Sequence, residues 1–265
     1  MPFTSKKFKT DYFFKQQDNR NPIVFIHGVG LTKEMWMPQI EFFKDQNVLT
    51  YDLIGHGKTP LQKTQLNFED FTKQLHNLID ELDFKTIHLI GFSLGSLIAR
   101  HFAGEHGDRL NSLVLHGSIY KRSTEQKRIV QNRYELIKTD RPASKATAIR
   151  RWLSGEFLRN NKEIYDKIYS MLEENDHKNL LKAYKLFVNY KDDDEILGKI
   201  NVNTLVTTGQ NDLGSTAEMA KNLIEKIKGA KYVEIKKGKH LCNIECAEDF
   251  NKAIELFIDQ NYDKT

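Results

Sequence analysis

The pentapeptide Gly91-Phe92-Ser93-Leu94-Gly95 follows the strand-like run Thr86 to Ile90 and precedes the helix-like stretch Leu94 to Ala103. A G-x-S-x-G pattern between a strand and a helix marks a tight turn that lifts a serine hydroxyl clear of a sheet. The turn strains the serine backbone, and the flanking glycines let neighbouring backbone pass without a clash. The pattern therefore demands a strand and a helix packed on each other. It also puts Ser93 at the positive end of a helix dipole, where a developing negative charge is favoured.

The rest of the chain repeats the strand–helix alternation. Ile23 to Ile26 (IVFI) and Val48 to Tyr51 (VLTY) are short apolar runs that read as buried strands. Between Phe68 and Leu82 the apolar residues fall at the 3.6-residue period of a helix. Leu113 to Leu115, Thr204 to Thr207 and Tyr232 to Ile235 read as strands, and Ala217 to Ile227 and Glu248 to Ile258 as helices. The expected fold is α/β, with a mostly parallel central sheet covered by helices on both faces. An antiparallel strand is expected at one edge, within Phe8 to Lys15. From about Ile119 to Glu195 no strand pattern appears and helix formers dominate. Residues 119–195 are read as an inserted helical cap, and residues 1–118 and 196–265 as the core that carries it. A cap of this kind buries its apolar face over the C-terminal ends of the strands, where open α/β sheets bind ligands.

The chain's 265 residues suffice for one such core, and 39% hydrophobic against 29% charged residues argues against disorder. A formal net charge of +4 is mild and by itself gives no case for nucleic acid. The first residues lack an apolar signal-peptide core, and no run of about 18 apolar residues exists, so a cytoplasmic location without membrane contact is the expectation. Cys242 and Cys246 lie four apart, too close for a good disulfide on one turn. With His240 they lack a fourth metal ligand, so reduced structural thiols and no metal are expected.

A serine hydroxyl needs a base, and the base needs an orienting carboxylate. His240 follows the strand Tyr232 to Ile235 through a short polar loop, which brings it to the strand edge that carries Ser93. Asp212 ends the turn after Thr204 to Thr207, on the same edge. The order Ser93, Asp212, His240 matches one of the known triad orders. His76, His88, His101 and His106 fall within helices or strands and are read as structural, as is Asp52 in the turn Asp52 to Gly57. An oxyanion hole requires two backbone N–H groups, assigned to Leu94 after the nucleophile and to Val29 in the loop His27-Gly28-Val29-Gly30. His27 is expected to hold that loop rather than act as a base.

The elements HGVG, YDLIGHGKT, GFSLG, GQND and GKH, in this order, resemble the α/β-hydrolase fold family over nearly the full chain. The stretches Arg150 to Phe157 and His240 to Glu245 are similar to the branch of 3-oxoadipate enol-lactonases and small carboxylesterases. That resemblance implies hydrolysis of a small carboxylic ester or lactone through an acyl-enzyme, with no cofactor. It also implies a compact acyl substrate whose carboxylate is met by a cap arginine, Arg151 or the equally placed Arg150, beside Trp152. The loop begins His-Gly where the enol-lactonases are expected to carry Asn-Ser.

Three other readings use the same residues. The triad also serves C–C bond hydrolysis of a diketone. Ten basic and three acidic residues between Lys121 and Arg151 would suit an acidic carrier protein bearing an acyl methyl ester, or a solvated helix face. A ligand receptor on the same fold would not need an intact Ser, His and Asp. Phe157, Tyr184 and Phe187 are further candidate pocket walls, with core packing as the plainer reading.

Overall fold

The computed structural model describes residues 3–262. Its strands are β1 (Phe3–Thr4), β2 (Asp11–Lys15), β3 (Ile23–Ile26), β4 (Val48–Tyr51), β5 (Ile87–Phe92), β6 (Leu110–His116), β7 (Thr204–Gly209) and β8 (Lys231–Ile235). They form one sheet in the order β1-β2-β4-β3-β5-β6-β7-β8. β1 and β2 pair antiparallel, as do β2 and β4, while every other pair is parallel. The edge strand expected within Phe8 to Lys15 is thus β2, in a hairpin with β1.

Strands buried on both faces must place apolar side chains on both, and the period of two divides them between two cores. Val24 and Ile26 of β3 and Leu89 of β5 join the cluster under α2 (Phe68–Glu81), α3 (Leu94–Glu105) and α10. Ile23, Phe25, Ile90 and Phe92 join the opposite cluster under α1 (Met37–Phe42) and α12. Here α10 is Ala217–Ile224, α11 Cys242–Glu245 and α12 Ala247–Asp259. α2 shows why these segments become helices. Asn67 and Asp70 close a capping box at its start, and Phe71, Leu75, Leu78 and Ile79 form its fully buried stripe. Each such side chain contributes about 1.5–3 kcal/mol on burial.

Between β6 and β7 the chain makes α4 (Thr124–Thr139), α5 (Arg141–Trp152), α6 (Gly155–Asn160), α7 (Lys162–Glu174), α8 (His177–Val188) and α9 (Asp194–Gly198). The first five make a helical segment inserted between two sheet strands. α9 straddles the expected boundary at residue 195 and belongs with the core: Gly104 of α3 lies so close to Ile196 that a Cβ there would meet its side chain at 2.9 Å. Because the central strands run parallel, the segments after β3, β5, β7 and β8 all emerge at one edge. No helix of the described residues is long and apolar enough to cross a membrane.

Candidate active site

Ser93 occupies the turn from β5 into α3 with φ 53° and ψ −111°, a backbone region that side chains avoid. Its N–H donates to the His116 carbonyl at 2.9 Å, which ties the turn to β6. The two glycines are required by close approach: a Cβ on Gly91 would strike the Gly95 backbone, and one on Gly95 would strike the Ile26 carbonyl of β3. Ser93 is 7% exposed and lines a cavity of about 570 Å³, open mouth included, together with His240 and Asp212.

His240 Nδ1 donates to Asp212 Oδ2 at 2.6 Å. That bond leaves the Nε2 lone pair free to take a proton. The other Asp212 oxygen, Oδ1, accepts from the Gly214 N–H at 2.8 Å and the Ser215 N–H at 3.1 Å. Burial pulls the Asp212 pKa upward, but the His240 charge, its hydrogen bond and these two N–H groups outweigh it, and the carboxyl ends below its ordinary value. The His240 ring is held by Phe92, centroid to centroid 4.7 Å, and by Gly117, where a Cβ would come within 3.2 Å of Cε1. Gly117 escaped the sequence reading; its only signal is a glycine directly after the last residue of β6.

The loop after β3 brings Val29 to the same cavity. Gly28 is tightly placed: a Cβ would meet the Phe92 ring at 2.9 Å and Ser93 Cβ at 3.2 Å. His27 is fully buried and keeps out of the cavity. Its Nδ1 donates to the Gly28 carbonyl at 2.8 Å and its Nε2 accepts from the Leu53 N–H at 2.9 Å. Since a trans peptide points C=O and N–H in opposite directions, fixing the Gly28 carbonyl also fixes the Val29 N–H. Leu94 opens α3, so its N–H is one of the helix-start donors without an intrahelical acceptor.

The other sequence candidates separate clearly. Asp52 accepts from the backbone of Lys33 and Lys58 and from Lys33 Nζ at 3.1 Å, inside a buried network that also holds Asp11. His88 bonds Ser112 within the sheet, and His101 stacks on Phe68 at 4.7 Å. Both cysteines are free, and burial pushes the Cys242 thiol well above its ordinary pKa, where it is unreactive.

The insertion supplies the cavity roof. Trp152, Tyr184 and Phe187 line it, whereas Phe157 packs into the core cluster under α12. Arg151 lines it too, while Arg150 is exposed. Arg122 and Arg133 join Arg151 on the wall, and no ion pair to any of the three occurs among the described residues. Burial, then repulsion by Arg133, lowers the Arg151 pKa to about 10, and burial lowers Arg122 to about 10 as well. Both therefore stay charged at neutral pH, and burial lowers the Arg133 pKa from its ordinary value as well. Arg122 is 7% exposed and its Nη2 has no hydrogen-bond partner. A second lobe shares Val29, Arg133 and Arg151 and continues among Leu136, Ile137 and Leu180.

A strand-to-helix serine, a His–Asp pair on the following strand ends and an N–H-bearing loop after β3 sit on one sheet edge. The model of the alpha/beta hydrolase fold matches residues 21–246. The chain belongs to that family. Within it, the chain is 28% identical over 256 residues to (E)-2-((N-methylformamido)methylene)succinate hydrolase of Acinetobacter baylyi, covering 95% of each chain. It is 27% identical over 244 residues to 3-oxoadipate enol-lactonase 1 of the same organism, covering 91% of this chain and 90% of that one. The fold is also that of the crystal structure of the enol-lactonase from Burkholderia xenovorans LB400, with a TM-score of 0.86 at 24% identity, over 94% of this chain and 97% of that one. These alpha/beta hydrolase relatives span nearly the whole chain, insertion included.

Proposed function

We propose that this alpha/beta hydrolase is a serine enzyme that cleaves a small carboxylic ester or lactone whose acyl part carries more than one carboxylate. The observation that carries the reading is the shared cavity: Ser93 and the His240–Asp212 pair on its floor, and three guanidinium groups without acidic partners on its wall. Ser93 Oγ attacks the carbonyl carbon while His240 Nε2 takes its proton. The Val29 and Leu94 N–H groups hold the oxyanion. Collapse breaks the C–O bond, and the leaving oxygen takes the proton from His240; in a lactone that hydroxyl stays on the acyl group. Water attacks the acyl-enzyme, gives its proton to His240, and Ser93 leaves with that proton.

Charged hydrogen bonds to guanidinium contribute about 1.5–3 kcal/mol each, and a carboxylate entering this cavity also relieves the repulsion between Arg133 and Arg151. Trp152, 5.6 Å from the Arg151 guanidinium across its ring face, would keep that side chain aimed. The relatives agree in kind: one is named for a succinate derivative, another for an enol-lactone. The inward facing of Arg122, Arg133 and Arg151 favours a small anion over an acidic carrier protein, which would need them on the outer face. The insertion, residues 119–195 in the sequence reading, then acts as the cap that selects the substrate.

Two measurements test this reading. A fluorophosphonate probe should label Ser93 and nothing else; an unlabelled Ser93 removes the nucleophile from the scheme. Along dimethyl succinate, monomethyl succinate and monomethyl tricarballylate, with zero, one and two free carboxylates, kcat/KM should rise about tenfold or more per step. Arg151→Met and Arg133→Met should each flatten that series, and a series already flat in the natural enzyme refutes the carboxylate reading.

A further inference from the structure

Asn175 lies in the bend between α7 and α8 and is 2% exposed, yet it lines neither lobe of the cavity. Its side-chain amide joins three stretches of backbone. Nδ2 donates to the Gly30 carbonyl at 2.8 Å and to the Met171 carbonyl at 2.7 Å, while Oδ1 accepts from the Gly57 N–H at 3.0 Å. Gly30 follows Val29 in the oxyanion loop, and Gly57 belongs to the turn after β4. The bend itself is fixed within the insertion. Arg141 Nη2 donates to the carbonyls of Leu172, Glu173 and Asn175 at 3.2, 2.6 and 2.8 Å.

We propose that Asn175 is a positioning residue for the oxyanion hole, through which the insertion helps hold the direction that His27 gives the Val29 N–H. Gly30 has φ +79° and no side chain, and within the loop only the long turn bond from the Leu31 N–H to the Gly28 carbonyl, 3.2 Å, restrains the backbone there. His27 pins the Gly28 carbonyl from the core, and Asn175 pins the Gly30 carbonyl from the insertion, so Val29 is fixed on both sides. A donor at an oxyanion hole contributes only when it is aimed before charge develops, and a displacement near 1 Å is enough to slow chemistry markedly. The inference rests on the reading of Val29 as a donor in a serine hydrolase.

Asn175→Asp keeps an acceptor for Gly57 but loses the donors to Gly30 and Met171; Asn175→Ala loses all three bonds without burying a charge. Both are expected to lower kcat on 4-nitrophenyl acetate by about 10- to 100-fold with KM within about threefold of the natural value. Inhibition by phenylboronic acid, whose tetrahedral adduct on serine places an oxygen in the oxyanion hole, should weaken by the same factor as kcat. A merely structural role predicts a lower Tm with kcat and boronate affinity of the folded enzyme unchanged, and that result overturns the proposal. Should the Asp variant fail to fold, the Ala variant decides on the same readouts. Full activity in Ser93→Ala would remove the underlying reading; an inactive Ser93→Ala beside an unaffected Asn175→Ala would remove this inference alone.

Discussion

Ser93→Ala is expected to lower kcat on short acyl esters by on the order of 10⁵-fold or more while the protein stays folded, since removing a triad serine disables the residues that act with it. Folding should survive because alanine keeps the same Cβ in the same strained turn, φ 53° and ψ −111°. Ser93→Gly separates chemistry from strain. It should be equally inactive, yet more stable by about 1 kcal/mol, because glycine adopts that backbone region freely while gaining entropy in the unfolded chain. In a chain of this size the gain reads as a Tm rise of about 2–4 °C. Turnover retained in Ser93→Ala would end the assignment; a lower Tm in Ser93→Gly would end the claim that the turn stores strain for function.

Acid should begin to destabilise this protein below about pH 6.5, before its carboxylates start to titrate. His27, His56 and His116 are fully buried, and burial first of all lowers their pKa values to about 4, 3 and 3; burial lowers His101 to about 4 as well. In the unfolded chain the same imidazoles take protons near pH 6.5. Their folded values are depressed, so the unfolded state binds the protons first. Stability is full above about pH 6.5 and falls as pH drops toward 4. Each proton contributes about 1.4 kcal/mol per pH unit, so four give up to about 5.5 kcal/mol per unit. Against a typical total of about 5–15 kcal/mol, the midpoint should fall between about pH 4 and 5. Asp212, with its carboxyl held below the ordinary value, adds its own loss only at lower pH. Urea midpoints from pH 7 to 4.5 would show the decline, with an uptake of about four protons on unfolding near pH 5. His56→Asn should reduce that uptake by one, and urea midpoints independent of pH across this window would refute the account.

Much of the sheet edge was legible because its signals are local. Gly91 to Gly95 names a turn by sterics alone, and His240 and Asp212 each follow a strand whose pattern is visible in a few residues. Ile23 to Ile26 reads as a strand buried on both faces, and the structure places Val24 and Ile26 in one core and Ile23 and Phe25 in the other. The insertion was legible as helical and no further. Nothing in its periodicity separates Arg151, on the cavity wall, from exposed Arg150, or Phe187 from Phe157, because these choices depend on how α5, α6 and α8 pack on the core.

The sequence by itself determined most of the strand and helix alternation of the core, the turn at Ser93 and the strand ends from which His240 and Asp212 project, since each follows from spacing and backbone sterics over a few residues. Tertiary structure alone decided what meets across long separations. It gathered Arg122, Arg133 and Arg151 around one cavity and carried the Asn175 amide to Gly30, 145 residues away in the chain. Local spacing cannot encode such meetings, because hydrogen bonds and unpaired charges of this kind exist only once the two cores have packed and fixed where the insertion rests.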